Sequence, residues 1–349
     1  MIIPRVEGHA TLLADGTVLV VGEDRCGIAG ANVDSGRTEV YDPVQDRWTE
    51  VGSLNKPRGF MSLAALSDGS ALVLGGVNRA DEAYSSTKLY DPGDREWSDG
   101  PLMARAGAVG AVVLSDGRVV AVRTGDTEIL DEQAARWRRS TPPPHAVSIS
   151  SLFPMADDLV GAIGGRSDEG LPTFLVFDPV QEQWREIGSP DVFRPSAIGL
   201  PDGSILVFGD DEGGSHVVRF SAVTGKWVEA AQLAHGRTRQ QMTLLGDGRV
   251  LVAGGVALIS EAVDGGYSVT EGPVLKSTEI YDADTDTWTP GHSLLGPRQG
   301  GLAIPVFDES VLIFGGFRKT PRGYDTLEPG PSAPCPEPLP TTERLVVGL

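Results

Sequence analysis

Six tryptophans spaced 49, 40, 47, 43 and 61 residues apart, Asp-Gly pairs between short apolar runs, and glycine pairs closing the second run predict an all-β fold. Each tryptophan (Trp48, Trp97, Trp137, Trp184, Trp227, Trp288) follows the same order of signals, so one supersecondary unit repeats along the chain. Four antiparallel strands repeated radially leave only short, protected sheet edges, which is the β-propeller arrangement. The expectation is a single domain over residues 1–349 with seven blades, the alternative being six blades plus a C-terminal appendage.

The second copy justifies each element in order. Residues 58–66 read as a first strand turned by Asp68-Gly69, because a tight hairpin needs residues that accept positive φ. Residues 71–74, apolar throughout, read as a short strand buried on both faces and ended by Gly75-Gly76. Residues 87–92 give a third strand, and Glu96-Trp97-Ser98 begins a fourth. The turn recurs at Asp15-Gly16, Asp116-Gly117, Asp202-Gly203 and Asp247-Gly248, with degenerate forms at Asp157-Asp158 and Asp308-Glu309. The glycine pair recurs at Gly164-Gly165, Gly254-Gly255 and Gly315-Gly316, decays at Gly22-Glu23 and Gly209-Asp210, and is lost around Arg123-Thr124. Seven first hairpins therefore stand against six tryptophan strands. The proline-rich stretch 329–340 resists regular structure, and residues 341–347 are expected to complete the last blade as a third or fourth strand.

Composition narrows function. The 349 residues carry 48 acidic and 29 basic side chains, a formal charge of −19, which argues against a nucleic-acid binder or a polybasic membrane-surface protein. Glycine, at 45 residues, is about twice its ordinary share of ~7% and fits a turn-rich chain. No apolar run reaches the ~20 residues of a membrane helix, and no signal peptide is recognised at the N-terminus. The expectation is a cytoplasmic monomer, or a secreted or periplasmic one if a leader has been removed. Cys26 and Cys335 neither prove nor exclude an oxidising compartment.

The ordered signals Pro-Arg, Asp-Gly, Gly-Gly, Tyr-Asp-Pro and Trp resemble the Kelch repeat, a unit of ~50 residues, over residues 4–318. The run from Thr11 to Val20 resembles bacterial-type units in particular. In the predicted blade, the entrance of the first strand and the loop after the glycine pair share one face, opposite the Asp-Gly turns. Arg5, Arg58, Arg237 and Arg298 each stand ten residues before their turn acid; Arg105 and Arg194 stand at eleven and eight. Arg239 lies beside Arg237, and His145 takes the place in the fourth unit. The resemblance implies that such arginines contact ligand carboxylates, for which a guanidinium fork is suited. The alternative is that they pair with acids of neighbouring blades and tie the ring together.

Binding of an anionic small molecule or acidic peptide at this mouth is the leading expectation. The rivals are a metal-independent isomerase, cyclase or lyase in the same pocket, using acids such as Asp168, Glu169, Asp211 or Glu212, and a scaffold acting through outer blade edges. No cofactor or metal is expected, because His9, His145, His216, His235 and His292 show no metal-ligand spacing. His9 is expected to pack in the channel, Glu212 and His216 to be solvated, and Cys26 to be an ordinary loop thiol. Residues 23–36 and 256–276 are expected to be long loops on the mouth side.

Overall fold

The hairpin chemistry read from the sequence is what builds the units. The Asp15 carboxylate accepts from the Thr17 backbone N–H at 2.9 Å, Gly16 takes φ +84°, and the Leu13 N–H bonds the Thr17 carbonyl at 2.8 Å. The same closure recurs at Asp68, Asp116, Asp202 and Asp247. In the fourth unit a 3-10 turn over Ala156–Asp158 replaces it, with Asp157 and Asp158 both at positive φ. The computed structural model describes residues 1–2, 5, 7–23, 36–78, 82–107, 110–131, 135–144, 148–165, 172–211, 214–263, 266–306, 309–318 and 339–347.

The strands pair in sequence order. The first unit holds β1 (Glu7–Leu12), β2 (Val18–Glu23), β3 (Thr38–Asp42) and β4 (Arg47–Val51). The second holds β5 (Gly59–Ala65), β6 (Ala71–Val77), β7 (Thr87–Asp91) and β8 (Glu96–Asp99). The third holds β9 (Gly110–Val113), β10 (Val119–Arg123), β11 (Asp126–Asp131) and β12 (Arg136–Ser140). The fourth holds β13 (Ser148–Pro154), β14 (Val160–Gly165), β15 (Pro172–Asp178) and β16 (Gln183–Glu186). The fifth holds β17 (Phe193–Gly199), β18 (Ile205–Asp211), β19 (Gly214–Ser221) and β20 (Lys226–Glu229).

In the sixth region the first strand is broken into β21 (Arg237–Thr238) and β22 (Gln241–Leu244), followed by β23 (Val250–Ala253). A hairpin of β24 (Val256–Val263) and β25 (Gly266–Val274) then extends β21 into its own three-stranded sheet, before β26 (Thr278–Asp282) and β27 (Thr287–Pro290) complete the four-stranded one. The expected loop over 256–276 is thus a β-hairpin, because alternation in Ile259–Glu261 and Ser268–Thr270 pairs across it. The last sheet is β28 (Leu302–Val306), β29 (Ser310–Phe314) and β30 (Thr342–Val346), so the C-terminal run is a third strand.

The innermost strands touch in order: β1 beside β5, β5 beside β9, β9 beside β13, β13 beside β17, β17 beside β22, β22 beside β28, and β28 beside β1. This is an all-β architecture of the β-propeller kind. Its core lies between neighbouring sheets: Leu13, Leu19 and Val21 of the first unit pack on Met61, Ala71 and Val73 of the second. Second strands are sealed on both faces, which is why they read as unbroken apolar runs.

The tryptophans join units. Trp97 packs tilted against Tyr90 with ring centroids 5.2 Å apart, and its indole N–H reaches back to the Gly52 carbonyl of the preceding unit at 3.1 Å. Trp184, Trp227 and Trp288 do the same to Thr141, Ile187 and Ala231; the Trp137 indole N–H is buried without an acceptor. The glycine pair is a second staple. Gly76, Gly255 and Gly316 donate to carbonyls of the next unit at 2.9, 2.8 and 3.1 Å, at φ near +90°. A Cβ on Gly255 would lie 2.6 Å from the Thr238 carbonyl oxygen. Among the described residues no helix is long and apolar enough to cross a membrane.

Candidate functional site

Arg5, Arg58, Arg237 and Arg298 do not line an open mouth; each is at most 2% exposed. Every guanidinium turns inward and is consumed by its own unit. Arg237 donates through Nη1 to the carbonyls of Gly254 (3.0 Å) and Ser277 (2.9 Å), and through Nη2 to the Glu279 carboxylate. Arg298 repeats this on Gly315, Thr341 and Glu343, and Arg5 on Gly22, Arg37 and Glu39. The other oxygen of each carboxylate caps an incoming segment, accepting from Ile2 (2.7 Å), Ala234 (2.8 Å) and Leu295 (2.6 Å). One Arg–Glu pair thus ties the first strand, the glycine turn, the third strand and the crossing segment. Burial lowers the Arg237 pKa, against which the neighbouring Glu279 charge acts to raise it.

The variants of this knot show its logic. In the second unit Lys88 stands where Glu39 and Glu279 stand, pairing outward with Asp99, and Arg58 is covered by the Tyr84 ring at 4.5 Å. In the third unit Arg123, from the glycine position of β10, supplies the cation and meets Glu128 at 3.1 Å. Glu128 in turn accepts from the backbone of Ala104 and Arg105, and the Arg105 side chain is exposed. In the fifth unit Val192 and Val218 replace arginine and glutamate together, both buried in one apolar cluster. Val192 is the residue ten before Asp202, so Arg194 belongs to a different position. His145 lies outside the described residues, as do Cys26, Cys335, Asp168, Glu169 and Glu212.

That different position is the exposed one. Phe60, Arg194, Arg239 and Gly300 each stand two residues beyond the buried site and take φ of +51°, +47°, +53° and +63°. At Phe60, Arg194 and Arg239 the left-handed backbone turns the side chain off the line of the inner strand. Phe60 is 71% exposed, Phe193 48% and the Arg194 side chain 59%. Arg194 forks onto Asp210 at 3.1 and 2.9 Å, and Arg239 meets Glu271 of the hairpin at 3.0 Å and Gln299 at 3.3 Å. Arg194, Ser196, Asp210, Arg239 and Gln240 line a cleft of about 120 Å³ between the fifth and sixth units. A larger apolar cleft of about 460 Å³, lined by Leu12, Leu245, Pro305, Val306 and Val347, sits at the Asp-Gly end, away from these cations.

Of the sequence candidates, then, Arg194 and Arg239 meet at one rim and the four in-register arginines are structural. The sequence reasoning missed Phe60 and Phe193, and the carboxylates that hold the buried cations. The last had a signal: Thr-Glu recurs at Thr38-Glu39, Thr127-Glu128, Thr278-Glu279 and Thr342-Glu343. His9 lies half-buried on β1. His216 is held between Asp211 at 3.2 Å and Glu229 at 2.7 Å, not left to solvent. Among the described residues no three metal-ligating side chains cluster.

No protein-family model matches the chain. It is 23% identical to Kelch-like protein 36 of Bos taurus over 295 residues, covering 82% of this chain and 40% of that protein. It is 28% identical to Kelch-like protein 35 of Mus musculus over 256 residues, covering 70% and 42%. With Kelch-like protein terF of Aspergillus terreus the identity is 30% over 110 residues, 31% of this chain and 22% of that one. These relatives support a Kelch-repeat assignment for the chain. The chain spans about two fifths of the length of the first two relatives. Its fold is similar to that of a fungal alcohol oxidase of the AA5 family solved with copper (TM-score 0.63, 16% identity, 90% of this chain and 71% of that one). It is also similar to YjhT (TM-score 0.53, 13% identity, 97% and 94%). At these identities the likeness concerns the fold alone.

Proposed function

We propose that this Kelch-repeat chain is a seven-bladed binding domain that takes a carboxylate-bearing peptide across the rim formed by Phe60, Arg194 and Arg239. The cyclic order of innermost strands supports seven blades, with β30 in the last. The observation that carries the site is the recurring left-handed backbone at these positions. A non-glycine residue there costs about 1–2 kcal/mol, and packing does not explain it where Phe60 is 71% exposed. Exposed aromatic and arginine side chains are the types enriched in protein interfaces.

Size favours a ligand laid over the rim. The cleft of about 120 Å³ is well below the roughly 300–1,000 Å³ of an enclosing small-molecule site. Asp210 and Glu271 already sit on the cations, so a ligand carboxylate competes with them. That competition gives the test, using a fluorescein-labelled hexaglutamate peptide. Arg194→Ala and Arg239→Ala should each weaken binding about tenfold, from loss of a charge-assisted hydrogen bond. Asp210→Asn and Glu271→Gln should tighten it, and added salt should weaken it. Binding indifferent to all four substitutions would exclude this rim.

A further inference from the structure

The hairpin of the sixth unit forms a sheet in the order β21, β24, β25, and among the described residues no strand pairs with the outer edge of β25. Ser268, Thr270 and Pro273 along it are exposed. Below it the edge is already used, since the Leu275 and Lys276 carbonyls accept from the Arg298 and Leu294 N–H groups at 3.1 and 2.8 Å. Building on the rim proposed above, we propose that β25 accepts an extended segment of a partner protein in which an acidic and a large apolar residue are neighbours.

The register decides which main-chain groups reach the open side. Val263 pairs with Gly266 across two residues, and the pair that closes a two-residue hairpin is a hydrogen-bonded one. Hydrogen-bonded pairs alternate from there, so Ser268 and Thr270 bond β24, while Val269 and Glu271 turn their N–H and C=O groups outward. Exposed edges are commonly blunted by lysine, proline or a bulge. Here the proline and the bulge come only at the lower end, at Pro273 and between Leu258 and Val256, and Ser268 to Glu271 keep regular pairing.

Two side-chain seats flank that stretch, one on each face. On the first, Glu271 meets Arg239 at 3.0 Å. A residue opposite Glu271 on an added strand stands roughly 4.5–5.5 Å away, Cβ to Cβ, so an acidic one reaches the same guanidinium. On the other face Gly272 has no side chain, and Ile259, 43% exposed, takes the space: a Cβ on Gly272 would lie 2.8 Å from the Ile259 Cδ1. A residue opposite Gly272 meets that methyl across the glycine, where only apolar carbon covers it without stranding a polar group. Because Glu271 and Gly272 are consecutive, so are the acid and the apolar residue that match them. A second copy of β25 does not fit, since its own acid stands between Thr270 and Gly272; the occupant is a different chain. Strand addition takes affinity from main-chain bonds and specificity from alternate side chains.

The probe is a fluorescein-labelled peptide, Ser-Val-Glu-Leu-Glu-Val-Ser, in which acids and apolar residues alternate. Its anisotropy should rise saturably with the full-length chain. N-methylation of the backbone at one of its two neighbouring central residues should abolish binding, and at the other leave it nearly intact, because only alternate N–H groups face β25. Val269→Pro, which removes an outward N–H, should abolish binding, and Ile259→Thr should weaken it about fivefold with the thermal midpoint close to the parent's. If Arg239→Ala weakens the peptide but the two N-methyl forms bind equally, strand addition is overturned and the rim reading stands. If Arg239→Ala has no effect, the rim reading falls with it. Absence of binding overturns the proposal, as does a concentration-dependent dimer broken by Val269→Pro in a chain that ignores the peptide.

Discussion

Replacing Arg237 by valine tests the buried knot where its parts are best defined. The Arg237 side chain is inaccessible and Glu279 is 5% exposed, so the substitution strands a carboxylate in the interior and removes donors from the Gly254 and Ser277 carbonyls. Breaking a buried pair from one side costs about 3–5 kcal/mol. Adding Glu279→Val copies the Val192 and Val218 arrangement of the fifth unit. The stranded charge then disappears, and what remains is chiefly the Ala234 N–H, bonded to Glu279 at 2.8 Å in the parent. One orphaned buried donor costs about 1–3 kcal/mol. The double variant should therefore be about 2 kcal/mol more stable than Arg237→Val, so that the two single losses fall well short of adding, as expected of contacting residues. Urea denaturation of the parent, both single variants and the double, followed by tryptophan fluorescence, measures it. If the double variant loses as much as the two single variants summed, the arginine and glutamate act separately and the knot is not a unit.

Two further outcomes follow from the same structure. Burial lowers the His9 pKa, so the folded chain binds fewer protons there than the unfolded one; the stability it contributes is full above the ordinary histidine pKa of about 6.5 and is lost as pH falls below it. The thermal midpoint should fall between pH 7.5 and 5.5, and His9→Gln should flatten that fall; an unchanged slope would remove His9 from the account. Gly255→Ala combines φ +93° with a backbone oxygen 2.6 Å from the new methyl and should cost about 3 kcal/mol or more. Gly225→Ala, at φ +66° with open space around it, should cost only about 1–2 kcal/mol. Calorimetric midpoints for the two would show them equal if this close backbone approach did not matter.

The repeat was legible because its signals are local. Asp-Gly turns, sealed second strands and Trp97-type fourth strands each depend on residues within a hairpin. The site was legible only in part. Arg194 and Arg239 were picked out for standing near the ten-residue register, yet they reach the rim because they are off it. A strict count would have placed Val192, and not Arg194, at the buried position. Phe60 carries no cue in the sequence, since its left-handed φ falls where the ladder skips a pair between Gly59–Val77 and Met61–Gly75 and the opposite Gly76 N–H bonds the Gly107 carbonyl of the next unit.

By itself the sequence determined the class of fold, the period and the kind of strand at each place, since strand alternation and turn chemistry are decided by near neighbours. Only the tertiary structure decided which cations are spent. Whether a guanidinium points into its own blade or out over the mouth depends on carbonyls 17 to 40 residues away, such as Gly254 and Ser277 for Arg237. A buried arginine must find those acceptors and a carboxylate together, or remain at the surface. Glu39, Glu279 and Glu343 complete that set and draw Arg5, Arg237 and Arg298 inward. Arg194 and Arg239, a step further along their strands, stay at the rim.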